Sequence, residues 1–395
     1  MSQISSFSAL LRASHELRLL RALARPGDES LSDVAMDGID WDDFVWHAQR
    51  HGLAALSFSR LHALDAGAVP RSAMTSLEKD YRLGQVRFLA QAHETVRITK
   101  MFCEEGIDSL VLKGVAAAHR LYSVDPAVRQ STDIDLIVAP ENFLAADQIL
   151  RRDGYVRKTP SFEIPEESMD MIGFLLHAFE YEDVRNGHSV EVHHRLTANP
   201  HAMNADFTEL SRSALVIETS AGCIRGMNDA DAARYLCSHG GGHAFATLKW
   251  LCDVERAFHL IGRDGVCALR HSERIAFTRN AIDLARSLLD DANQVRPTTM
   301  APARRNDRNM SFVVAELCAD EVPGGPRTSK SMLRELAMLR FQVRMGADMT
   351  FAMNELVRLL CDPRDALTLR RGLGWLPLYM LLGPFLALRR FLTRA

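Results

Sequence analysis

The 395-residue chain has no CxxC pair, and its seven cysteines, at 103, 223, 237, 252, 267, 318 and 361, are odd in number and scattered. That pattern argues against a zinc ribbon, a redox dithiol and a disulfide framework. It leaves reduced thiols inside apolar helical stretches such as RYLCSHG and KWLCDVE. Charge of one sign is lacking too: 47 Lys and Arg against 50 Asp and Glu give a net charge of −3. A wholesale nucleic-acid coat is thereby excluded, although a local basic groove is not. The chain has no internal repeat, no low-complexity tract, no GxxxxGK[ST] phosphate loop and no HExxH zinc helix. Its start, MSQISSFSALLRASHELRLL, carries charges inside its apolar part, which suits an amphipathic helix and not a signal peptide. A cytoplasmic protein is the expectation.

What is present is an ordinary globular composition, 47% hydrophobic and 25% charged, with length for two or three domains. Residues 1–105 show apolar spacing of three and four throughout and read as a helical region, closed by Gly106. Residues 106–205 change character. IDSLVLKG is a run of strand length, VAAAHRLY is helical, RQSTDIDLIV reads as a strand, and Pro140 opens a helix over ENFLAADQILRRDG. YVRKT and HSVEVHHRL follow as strands. Residues 206–395 return to helical spacing, with polar stretches at DANQVRPTTMAPARRNDRN and DEVPGGPRTSKS expected as loops. The expected fold class is α+β: a small mixed-sheet core flanked by N-terminal and C-terminal helical regions.

The chemistry is concentrated in Arg129 to Val138. Side chains alternate faces along a strand, so Asp133 and Asp135 share one face while Ile134, Leu136 and Val138 share the other. Two like charges side by side destabilise a sheet unless something positive sits between them, and a hard divalent ion takes carboxylate oxygens together with substrate phosphates. Glu191, in the alternating strand SVEVHHRL, is a third acid and shares its face with His193. If the two strands are neighbours, three carboxylates converge on one spot and could hold Mg²⁺ or Mn²⁺. Taken singly, each acid also fits a solvated strand end. Lys113 and Gly114 lie at a strand-to-helix turn, where a glycine admits close approach of backbone to a phosphate and a lysine adds a point charge. Arg129, four residues before Asp133, could meet phosphate by the same logic.

The run LVLKGVAAAHRLYSVDPAVRQSTDIDLIV, followed by a helix, DGY and VEVHHRL, resembles the bacterial nucleotidyltransferase-like family of the DNA polymerase β superfamily over about residues 105–260. The resemblance implies a metal-dependent enzyme that transfers an NMP from an NTP, ATP among the candidates, to a hydroxyl of an acceptor: a small molecule, a protein or RNA. It implies that Asp133, Asp135 and Glu191 bind the metal and are catalytic. It places Lys113, Gly114, Arg129 and His193 at the substrate. The turn reads Lys-Gly-Val where the superfamily commonly has Gly-Ser, so one phosphate-touching hydroxyl is absent. LKWLCDVERAF resembles the family's Trp-x-x-Asp helix, with Lys249 expected to reach the phosphates and Asp253 to position it. Toxin-type nucleotidyltransferases acting on RNA show a similar pattern, and a catalytically silent nucleotide-binding module is the reading from another class.

Two further features stand apart. SHGGGHAF spaces His239 and His243 as i and i+4, a zinc-compatible step, but three glycines weaken the helix, and histidines that line the cleft or cap the helix are the better expectation. Gly372 to Leu388 is an uncharged apolar run bracketed by arginines, short for a membrane span and interrupted by Pro377 and Pro384. Residues 372–392 are expected to fold onto the helical region or a second copy, with peripheral membrane contact as the alternative.

Overall fold

A computed structural model describes residues 6–27, 36–64, 67, 69–292, 304–319, 329–365 and 373–392. The fold is α+β. Seven strands form one mixed sheet: β1 (Ser109–Val111), β2 (Asp133–Val138), β3 (Tyr155–Thr159), β4 (Ala178–Asp183), β5 (Ser189–His193), β6 (Leu215–Thr219) and β7 (Gly222–Gly226). Their spatial order is β3-β4-β5-β2-β1-β7-β6. β2 and β5 lie parallel at the centre, in a register that sets Asp133 beside Ser189, Asp135 beside Glu191 and Ile137 beside His193.

The sheet separates two packing environments. Ile134, Leu136 and Val138 face a core that includes Val190, Val192 and Phe179 and is closed by Ile98 and Phe102 of the long Arg71–Glu104 helix and by Ile149 and Leu150 of the Phe143–Arg152 helix. On the other face Ile137 packs with Leu110, Leu112, Met203, Phe207 and Tyr235. A separate, larger core joins the N-terminal helices to those after residue 229. Each face of a strand is apolar or polar by its period of two, and the sheet buries the aliphatic face because that removes the most apolar area from water.

Several expected long helices are broken by their own sequence. FSALLRASHELRLLRALA divides at Ser14, whose side chain caps the second helix by accepting from Leu17 N. The stretch 41–63 divides at Gly52, whose φ of +69° a side chain would resist. The helical run after residue 329 divides near Ala347 into Ser329–Gly346 and Met349–Leu360. Part of the first polar stretch, expected as a loop, is the start of the Arg304–Leu317 helix; residues 293–303 and 320–328 lie outside the described residues. β4 and the β6–β7 hairpin are strands beyond those expected from the sequence, and the hairpin lies past residue 205. Of the cysteines, Cys237, Cys252 and Cys361 are buried while Cys103, Cys223 and Cys318 are exposed, and none is bonded to another.

The apolar tail packs on the protein. Its helix, Leu376–Leu392, buries Tyr379 in the same core as Phe179 and Val192, and Leu376 and Met380 pack against that core. Gly383 lies against the carbonyl of Leu360, so close that a Cβ there would overlap it. Among the described residues no helix is long and apolar enough to cross a membrane.

Candidate metal centre

The register of β2 and β5 builds the site. Neighbouring strands run about 4.8 Å apart, so the pairing of Asp135 with Glu191 sets two carboxylates side by side, and His193 follows one step along the same face. Nε2 of His193 lies 3.5 Å from Asp135 Oδ1 and 3.3 Å from Glu191 Oε2. One ligand atom from each of the three residues falls within 4.8 Å of the others, the geometry of a metal-holding group. Asp135 is fully buried and Glu191 is partly open to solvent, with 0% and 27% of their side chains exposed.

Lys113 reaches into this cluster. Its ammonium is 3.0 Å from Asp135 Oδ1 and 3.8 Å from Asp133 Oδ2. The positive charge that two neighbouring aspartates require is therefore supplied, in this structure, by a lysine of the chain itself. Burial alone would lower the Lys113 ammonium, but the carboxylates of Asp135, Asp133 and Glu191 outweigh it and hold the group charged. Burial likewise works against the charged forms of Asp135 and His193. Lys113 and His193 nonetheless keep Asp135 well below the usual carboxylate range, and the two acids hold the His193 imidazole up at about 9.

The charge balance is met, yet the hydrogen-bonding capacity is not. Both carboxylate oxygens of Asp135 and both ring nitrogens of His193 are buried without a well-aligned hydrogen bond. Buried polar atoms left in this way cost about 1–3 kcal/mol each. Two carboxylates and an imidazole match a divalent ion of intermediate hardness as well as Mg²⁺. The residues present fit such an ion.

The other expected site residues are arranged differently. Asp133 shares the face, beside Ser189, but stands outside the three-residue cluster and turns toward Lys113. Gly114 has φ +57°, a backbone conformation that a side chain resists, so the glycine serves the turn itself. Arg129, expected at phosphate, is buried. Its Nε and Nη2 hold both oxygens of Asp253, at 3.1 and 2.9 Å, and its Nη1 donates to the carbonyl of Gly114 at 3.2 Å. Asp253 also accepts from Tyr122 at 2.9 Å. Asp253 thus grips Arg129 and not Lys249, because a guanidinium fits a carboxylate in two places where an ammonium makes one contact. Lys249 donates to the carbonyl of Gln130, and its stem packs against Gly52. Burial, with Arg129 nearby, lowers its pKa to about 8. His194 bonds the Leu176 carbonyl, away from the cluster.

Two residues near the site went unread in the sequence. Tyr235 sits where Lys113 and the three acids act on its hydroxyl, and His177 meets the His193 ring edge-on at 5.2 Å between centroids. Tyr235 carried a signal, its place four residues before His239 on one helix. Nothing local marked His177.

An α+β protein whose two central strands gather two acids and an imidazole beside a buried lysine carries a candidate divalent-metal centre. The chain belongs to a family of uncharacterised nucleotidyltransferases, whose sequence profile matches residues 37–280. No curated protein matches it.

Proposed function

We propose that the protein is a metal-dependent nucleotidyltransferase that moves an NMP from an NTP to a hydroxyl of an acceptor and releases pyrophosphate, in the manner of the DNA polymerase β superfamily. The observation that carries this reading is the pairing of Asp135 with Glu191 on adjacent strands, with buried Asp135 oxygens that lack hydrogen bonds. Asp135, Glu191 and His193 would hold a divalent cation, with Asp133 beside them, and the bound ion would neutralise phosphate charge and lower the pKa of an attacking hydroxyl.

The chain's own groups have separable tasks. Lys113 offers a permanent positive charge at the rim of the acids and would pass from Asp133 to an incoming phosphate, where charge-assisted contacts stabilise the transferring group. Glu191 is the acid of the cluster with solvent contact, so it is the one that an acceptor hydroxyl can approach and give its proton to. Arg129 works from behind. By tying the Gly114 carbonyl to Asp253 it fixes the turn from which Lys113 projects. The acceptor's identity, whether small molecule, protein or RNA, follows from no single residue.

The test is incubation with α-labelled NTPs and a cell lysate in Mg²⁺ or Mn²⁺, followed by separation into protein, RNA and small-molecule fractions. Label in one fraction, lost with Asp135→Asn, supports the proposal and names the acceptor class. Label in none, with either ion, counts against it.

A further inference from the structure

The Asp229–Gly242 helix and its cap set Tyr235, His239 and His243 four residues apart, a spacing that stacks side chains along one stripe. Ring centroids are 5.8 Å apart from Tyr235 to His239 and 4.8 Å from His239 to His243. Trp250, from the following Leu248–Ser272 helix, stacks on His243 at 5.0 Å with 26° between planes, and meets His239 edge-on. Exposure rises along the stripe. Tyr235 is buried next to Lys113, His239 is half-buried and His243 is open to solvent. An aromatic wall therefore leads from the acid cluster out to the surface.

The backbone fixes the outer end of this wall under strain. Ala244 and Phe245, directly after His243, have φ of +51° and +45°, a region that residues with a side chain seldom occupy, and both are fully buried. Gly240 admits the Phe245 ring where a Cβ would overlap it. Strain of this kind persists only where surrounding packing imposes it, and it concentrates at ligand sites. A zinc ion is the poorer occupant. Among the described residues the group of three or more ligands is Asp135, Glu191 and His193, and the two histidines of the stripe have no third partner.

We infer that the Tyr235–His239–His243–Trp250 stripe binds the nucleobase of the nucleotide whose phosphates lie at Lys113 and the acid cluster. The inference rests on the nucleotidyltransferase reading. Aromatic rings give a base a π-face to stack on whatever its hydrogen-bonding edge, so binding favours the larger purines over pyrimidines and discriminates little between adenine and guanine. The wall supplies this face at the right end, since phosphates drawn to Lys113 leave the ribose and base to extend outward along it.

Calorimetry on the full chain in Mg²⁺ tests this with ATP and inorganic tripolyphosphate as the two ligands. Wild type should bind ATP about tenfold more tightly than tripolyphosphate, a low value for stacking on a base. His243→Ala, at an exposed position, should erase that margin and leave tripolyphosphate binding unchanged, while His243→Phe should keep it. Equal affinity for the two ligands in wild type, or a parallel loss of both in His243→Ala, would overturn the base site. If neither ligand binds wild type, the nucleotidyltransferase reading falls, and the base site with it.

Discussion

Two buried charge clusters sit within one fold, and they are built to opposite rules. In the first, Arg129, Asp253, Tyr122 and the Gly114 carbonyl satisfy one another through aligned hydrogen bonds of 2.9–3.2 Å. In the second, Asp135 and His193 are just as buried, yet their polar atoms lack aligned partners. The two lie at either end of the short chain from Gly114 to Lys113. A completed network resists exchange of partners, which suits a brace. An incomplete one retains lone pairs for something that is to arrive, which suits a ligand site.

The comparison breaks most visibly under substitution. Arg129→Met leaves Asp253 charged and buried, and a loss of about 3–5 kcal/mol is expected in urea denaturation. Asp135→Asn deprives buried Lys113 and His193 of their shared counter-charge, so a loss of similar size is expected on the same scale, while nucleotidyl transfer is abolished. The two part on the ion, which Arg129→Met should still bind and Asp135→Asn should not; loss of Mn²⁺ binding by both would erase the distinction. A smaller effect concerns the ion: a hundredfold excess of Mn²⁺ over its dissociation constant should stabilise wild type by about 2.7 kcal/mol, seen as a rise in melting temperature absent from Asp135→Asn.

Lys249 lies between the clusters and supplies a pH test. Its pKa falls from 10.5 to about 8 in the folded chain. Between those values the unfolded chain binds more protons, so this group makes stability rise with pH from about 8 to 10.5. Lys249→Met should flatten that rise in denaturation midpoints measured across the window; an unchanged slope would refute the buried placement. The smallest effect belongs to Arg120 and Asp229, which make the same two-pronged contact, Nε to Oδ1 at 3.0 Å and Nη2 to Oδ2 at 2.6 Å, on the surface. There Arg120→Ala should cost less than about 1 kcal/mol, because water replaces what the partner gave.

How much of this the sequence carried depends on distance along the chain. The strand period alone placed Asp133 and Asp135 on one face and Ile134, Leu136 and Val138 on the other, and the α+β class followed from short apolar runs between helical ones. That Glu191 comes beside Asp135 depends on the β2–β5 register, which no local signal sets. Two neighbouring aspartates need something positive between them, for which the sequence pattern points to a metal; the reach of Lys113 across β2 is visible only with the sheet assembled. Arg129 and Asp253 are 124 residues apart, so each looked free to meet phosphate or to position Lys249. β4 was legible in principle, since Phe179 and Tyr181 alternate with Glu180 and Glu182. The β6–β7 hairpin was less so, with Val216 and Cys223 exposed on short strands.

The central claim is that the acids of β2 and β5 form a metal site. Electron paramagnetic resonance of free Mn²⁺, titrated with the full-length protein, measures this directly. Wild type should quench the free-ion signal with saturable stoichiometry, and Asp135→Asn, shown to be folded by circular dichroism, should leave the signal intact. Quenching of equal strength by both proteins would contradict the assignment.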